Sequence, residues 1–61
     1  MALYMVRIVD INGVCVDDAW TSYFNDADYN GDASAVADAD YDDAATWAAR
    51  GGYGASLLKV S

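Results

Sequence analysis

The chain contains no Glu, no His and no Pro, a single Cys (Cys15), and only three basic residues, Arg7, Arg50 and Lys59. Each shortage removes a class of chemistry. Without His there is no imidazole base and no histidine-ligated metal. Without Pro there is no proline-rich ligand segment. One Cys cannot close an intrachain disulfide, which excludes a disulfide-held secreted scaffold. It also has no nearby base to lower its pKa, so Cys15 reads as a small apolar residue, not a nucleophile. Three bases cannot supply the positive footprint that nucleic-acid binding requires. Arg7 interrupts the N-terminal apolar run, so no signal-peptide core forms there, and no run is long enough to span a bilayer. These shortages predict an intracellular, soluble protein, in the host cytoplasm for a viral chain.

What is abundant is Asp. All ten acids are Asp, and the net charge is −7 over 61 residues, which is one small domain, residues 1–61. Hydrophobic residues make up 56%, but twelve of them are Ala, and Leu, Ile, Val and Phe together also number twelve. Eight aromatics supply much of the remaining apolar surface. A core this small is marginal by itself, so a homodimer, a metal or a partner is expected to help. The acidic surface disfavours nucleic acids and anionic membranes and favours basic protein surfaces, approached by electrostatic steering. Paired carboxylates could in principle act as acid and base. A domain this thin offers little depth to desolvate one of them, so the expectation is a non-enzyme.

Leu3 to Ile11 read as a strand, and Asn12-Gly13 as the tight turn of a β-hairpin. A two-residue loop there sets Ile11 opposite Val14, Val9 opposite Val16, Arg7 opposite Asp18 and Met5 opposite Trp20. Residues 17–25 read either as a strand continuing the hairpin, favoured by Thr21, Tyr23 and Phe24, or as a short helix capped by Asp17. Asn25 to Asp32 is a polar loop, and Ala33 to Ala37 a short strand. A helix is expected over Tyr41 to Arg50. Asp40 would be its N-cap, Asp42 and Asp43 would lie in its first turn, and Gly51 would stop it. Ala44, Trp47 and Ala48 form its apolar stripe. Trp20 and Trp47 serve as core anchors, Gly51-Gly52-Tyr53-Gly54 is a helix stop, and Ala55 to Val60 is the closing strand. The fold class is therefore α+β: a small antiparallel sheet, the N-terminal hairpin plus the C-terminal strand, with one helix packed on a face.

Two acidic patterns carry candidate chemistry. Asp26-Ala27-Asp28-Tyr29-Asn30-Gly31-Asp32-Ala33-Ser34 resembles the first part of an EF-hand loop, with Asp26, Asp28, Asn30 and Ser34 at the oxygen-ligand positions and Gly31 at the sharp turn. The position of the bidentate Glu falls on Ala37, so any calcium bound would be held weakly, and ordinary turn chemistry accounts for the same residues. The second pattern is the run Asp38, Asp40, Asp42, Asp43. On an extended segment alternate residues share a side; on a helix Asp38 and Asp42 share a face. Capping and solubility explain part of it, but unopposed charge works against compaction and points to a use. Tyr29, Tyr41 and Tyr53 lie in or beside these acidic segments, where aromatics serve as interface anchors.

The size, the acidity, Val6-Arg7-Ile8-Val9, Val36-Ala37-Asp38 leading into Asp42-Asp43-Ala44-Ala45, and the closing Leu57-Leu58-Lys59-Val60 look like small phage-encoded proteins. Among these are anti-CRISPR and antirestriction inhibitors, some of which are acidic mimics that block a nucleic-acid groove. The resemblance is one of architecture and charge style. It implies an inhibitor whose acidic face docks on the Lys and Arg residues of a nucleic-acid-binding defence complex. The partner-binding set expected on this reading is Asp26, Asp28, Asp32, Asp38, Asp40 and Asp42 with Tyr29 and Tyr41. No cofactor is required. The alternatives are a small calcium-binding module built on residues 26–34 and a structural accessory subunit whose acids serve solubility.

Overall fold

A computed structural model describes residues 2–16 and 20–61. Those residues form three strands and one α-helix, in the order β1 (Leu3–Val9), β2 (Thr21–Asn25), α1 (Ala33–Ala49) and β3 (Gly54–Lys59), with a 3-10 turn at Asp26–Asp28. The sheet has β1 at its centre, flanked by β2 and β3, and both pairings are antiparallel. The helix packs across one face. This is the small α+β architecture expected from the sequence.

The Val- and Ile-rich β1 takes the centre because it has apolar side chains to offer both faces. Tyr4, Val6 and Ile8 point toward the helix, and Val6 and Ile8 are fully buried. Across from them, Ala33, Ala37, Ala44 and Ala48 form the buried seam of α1. Their spacing of four, seven and four keeps them on one line, and their small side chains let the helix axis approach the sheet closely. Tyr4, Val16, Trp20, Phe24, Tyr41, Ala55 and Leu57 close the perimeter of this core.

The hairpin differs from the expected two-residue turn. Asp10 pairs with Val14 through Asp10 N–H to the Val14 carbonyl at 2.9 Å, and Gly13 N–H donates to the Asp10 carbonyl at 3.0 Å. Val9 bridges to Cys15. The loop is thus Ile11-Asn12-Gly13, three residues, with Gly13 alone left-handed at φ 80°. This is the type I turn plus bulge geometry. Asp10 selects it, because Oδ1 accepts from both Asn12 N–H and Val14 N–H. Ile11 therefore does not face Val14, nor Val9 Val16.

Further along, the register moves again. Ile8 accepts from Val16 N–H and donates to the Trp20 carbonyl, and β1 then pairs Arg7 with Thr21 and Met5 with Tyr23. Arg7 is not opposite Asp18, which lies outside the described residues, and Met5 is not opposite Trp20. The shift puts Trp20 on the helix side and Met5 on the other, as a register change by an odd number must. Of the ambiguous residues 17–25, Thr21–Asn25 is strand; Asp17, Asp18 and Ala19 lie outside the described residues.

The helix is longer than expected. Ala33–Ala37 is its first turn and a half, not a strand, and Asp40 lies in its middle, not at its N-cap. Eight of its seventeen residues are Ala, the strongest helix former, and this outweighs the scattered Asp residues. At the other end Gly52, not Gly51, takes the left-handed position at φ 81°. Tyr53 N–H returns to the Ala48 carbonyl and Gly52 N–H to the Ala49 carbonyl, which is a Schellman closure. Among the described residues no helix is long and apolar enough to cross a membrane.

Candidate functional site

The two acidic segments occupy the helix layer and the loop leading into it, and within them the carboxylates divide by what they touch. Asp26 is engaged on both oxygens. Oδ2 accepts from Ala2 N–H at 3.1 Å and Oδ1 from Ala33 N–H at 3.2 Å. Its carbonyl also accepts from Tyr29 and Gly31 N–H. Asp32 occupies the N-cap position of α1 but its side chain makes no capping bond. Asp26 thus supplies from seven residues upstream the cap that Asp32 does not, and ties the start of β1 to the start of the helix.

This geometry bears on the calcium-loop expectation. Asp26, at the first ligand position, turns both oxygens onto backbone N–H groups that need acceptors. Ser34 is exposed on the first turn of the helix, and Asn30 is exposed in a left-handed conformation at φ 55°. Among the described residues no three His, Cys, Asp or Glu side chains converge on a common point. The 26–34 segment is a turn that starts a helix, and its first carboxylate, Asp26, accepts from two backbone N–H groups.

Asp40 is likewise engaged. Trp20 Nε1 donates to its Oδ2 at 3.1 Å, across the gap between β2 and the helix. The bond gives a half-buried indole N–H its acceptor and fixes the Trp20 ring, which meets Trp47 at 6.0 Å in a tilted arrangement. Tyr41 is half-buried against the core, and Tyr29 packs on Phe24 at 5.9 Å. Of the eight residues expected to bind a partner, Asp26, Asp40 and Tyr41 are thus held by the fold itself, and Tyr29 is partly so.

The other carboxylates of these two segments accept no hydrogen bond among the described residues. Asp38 and Asp42 are exposed one helical turn apart on the same face, as expected for a helix. Asp43 is exposed on the opposite flank, and Asp28 and Asp32 are exposed at the N-terminal end. From Asp32 to Asp42 the helix rises about 15 Å, so these five form a negative surface running along most of α1. Asp43, absent from the expected set, belongs to it.

The helix C-terminal end carries a feature that the sequence pattern did not disclose. A cavity of about 360 Å3 opens there, lined by Ile8, Val16, Trp47, Ala48, Arg50, Gly51 and Tyr53. Trp47 is 50% exposed and Tyr53 47% exposed, so Trp47 is a wall of this opening and not a core anchor. Extending the alanine seam back to Ala33 is the signal that would have placed it: Ala44 and Ala48 lie on that line and Trp47 beside it. Asp43, Trp47 and Arg50, four and three residues apart, share one stripe and join the cavity to the acidic surface.

No protein-family model matches the chain, and comparison with curated proteins and with solved structures gives no match.

Proposed function

We propose that the chain is a non-enzymatic acidic interaction module that inhibits a nucleic-acid-binding defence machine, CRISPR-Cas or restriction, by occupying its basic groove. The observation that carries this reading is the set of five exposed carboxylates, Asp28, Asp32, Asp38, Asp42 and Asp43, along one helix and the loop before it. Asp38, Asp42 and Asp43 sit on the helix itself, so their spacing is fixed before binding, which lowers the ordering cost of docking. Like charges one turn apart, as at Asp38 and Asp42, work against the helix that holds them. That arrangement supports a surface kept for a partner. At its end Trp47, Tyr53 and Arg50 are residue types that dominate interface energetics, and they provide the anchor that Tyr29 and Tyr41 were expected to supply.

The test is displacement of fluorescent DNA from purified CRISPR-Cas effector complexes and restriction enzymes. Inhibition should weaken as salt rises, and the quadruple variant Asp28→Asn, Asp32→Asn, Asp38→Asn, Asp42→Asn should lose most of it and flatten the salt dependence. Asp26 and Asp40 stay intact because they hold the fold. Displacement by the variant equal to that of the parent chain, or none by the parent across the panel, would overturn the proposal.

A further inference from the structure

The cavity at the C-terminal end of α1 reaches down to the core. Ile8 of the central strand and Ala48 of the helix seam, both buried, form its floor, with Val16 beside them. Its walls are the aromatic rings of Trp47 and Tyr53, each about half exposed. The fold places both walls. Trp47 leans on Trp20 at 6.0 Å, and Trp20 is itself tied to Asp40 through its indole N–H. Tyr53 donates its backbone N–H to the Ala48 carbonyl, and its ring lies over Gly51, where an added Cβ would come within 3.2 Å of Cδ2. Arg50 is exposed at the rim. The volume of about 360 Å3 lies within the range of ligand pockets.

We propose that this cavity takes an aromatic side chain presented by a basic segment of the partner protein. The inference rests on the reading of the acidic face as a docking surface, and adds the group that the partner inserts. Chemistry selects the ring. The floor is apolar, so a charged head group sent to it would lose its water without replacement. The walls are two aromatic rings and the rim is a guanidinium, groups that favour a ring through offset, edge or cation–π contact. Charge selects what surrounds the ring. The chain carries −7, and Asp43 is exposed one turn before Trp47 on the same stripe. A lysine or arginine next to the inserted ring lies against Asp43. Arg50, one turn beyond Trp47, repels a second base, so the bases of the segment fall toward the body of the helix and its acids.

The energetics follow from exposure and placement. Trp47 and Tyr53 meet water in the free chain, so a ring between them removes apolar surface from water on both sides of itself as well as on the walls. Both walls are positioned before binding, which lowers the ordering cost. The inserted ring is then an anchor, and the carboxylates supply long-range attraction and orientation.

Short peptides of known sequence test this: acetylated and amidated Lys-Lys-Phe-Lys-Lys, and the same peptide with Ala or Leu at its centre. Each is titrated into the isotope-labelled full chain at low salt, with the backbone and indole N–H signals followed by NMR. The Phe peptide should bind tenfold or more tightly than the Ala peptide, bind more tightly than the Leu peptide, and move the Trp47 indole signal. Tyr53→Ser and Trp47→Gln should each bring the Phe-to-Ala ratio toward one. Both side chains are half exposed, and far-ultraviolet circular dichroism should show the helix unchanged. Asp43→Asn should weaken both peptides alike and leave the ratio as it was, as a purely ionic contact must. Equal binding of the Phe and Ala peptides by the parent chain overturns the inference. A ratio that survives both Tyr53→Ser and Trp47→Gln overturns it as well, since the ring then sits elsewhere, and a Leu peptide as tight as the Phe peptide overturns the choice of a ring. DNA displacement is read separately. A chain that displaces DNA but shows no preference for the Phe peptide overturns this inference alone, and one that prefers the Phe peptide but displaces no DNA supports it while overturning the inhibitor reading.

Discussion

Asp26 holds two chain segments with one carboxylate, the N–H of Ala2 at the start of the sheet and that of Ala33 at the start of the helix. Removing it leaves two backbone donors to find water, one of them at a helix N-terminus with no other side-chain cap. Asp26→Ala is expected to cost about 1–2 kcal/mol, which in a domain of this size lowers Tm by about 5–15 °C. Thermal denaturation in EDTA and in calcium separates this role from metal binding. The parent chain should melt at the same temperature in calcium as in magnesium at equal ionic strength, and the loss in Asp26→Ala should be the same in both. A calcium-specific rise in the parent that vanishes in the variant would make Asp26 a ligand instead.

At the scale of the element, α1 combines a strong helix former with a charge pattern that opposes it. Asp38 and Asp42 repel across one turn, so Asp38→Asn should raise stability by about 0.2–0.5 kcal/mol, measured by urea denaturation, while weakening partner binding. A fall in stability would mean that Asp38 has a favourable contact of its own. The helix also shows what could be read from the chain beforehand. The central and closing strands were legible, since Val, Ile and Tyr in β1 and the final apolar run leave few alternatives; β2 was open between strand and helix, and the exposed acids of the helix were legible as charge. The start of the helix was not. Asp40 with Asp43 three residues later imitates a cap, and only the tertiary alanine seam from Ala33 to Ala48 shows that the helix runs straight through it. The hairpin register failed for a similar reason: Asn12-Gly13 is a strong turn signal, but the Asp10 carboxylate bonds to two N–H groups and selects a longer loop. Asp26 and Asp40 read as site residues because their side chains say nothing of the N–H groups that occupy them.

Over the whole molecule, charge is sorted by layer. Among the described residues the Asp side chains lie on the helix, the loop before it and the hairpin tip, and the central strand carries Arg7 among apolar side chains. Arg50 and Lys59 are exposed at the ends of their elements. A fold with this much unopposed negative charge is held against its own field, so screening should stabilise it. Raising monovalent salt from about 10 mM, where the Debye length is 30 Å, to about 150 mM, where it is 8 Å, should raise Tm, most steeply over the first additions. Melts at a fixed low protein concentration keep any dimer out of the comparison. A Tm that falls with salt would mean that attractive pairs outweigh the repulsion.

The two ends of the described chain lie side by side. Val60 N–H donates to the Leu3 carbonyl at 2.7 Å and Leu3 N–H to the Ser61 carbonyl at 3.2 Å. A short linker could therefore join them without disturbing a strand, and the exposed Ile11-Asn12-Gly13 loop offers a place to reopen the chain. The fold is in this sense a cassette. It can be circularly permuted, or inserted into a surface loop of another protein, with its acidic helix still displayed outward from the host.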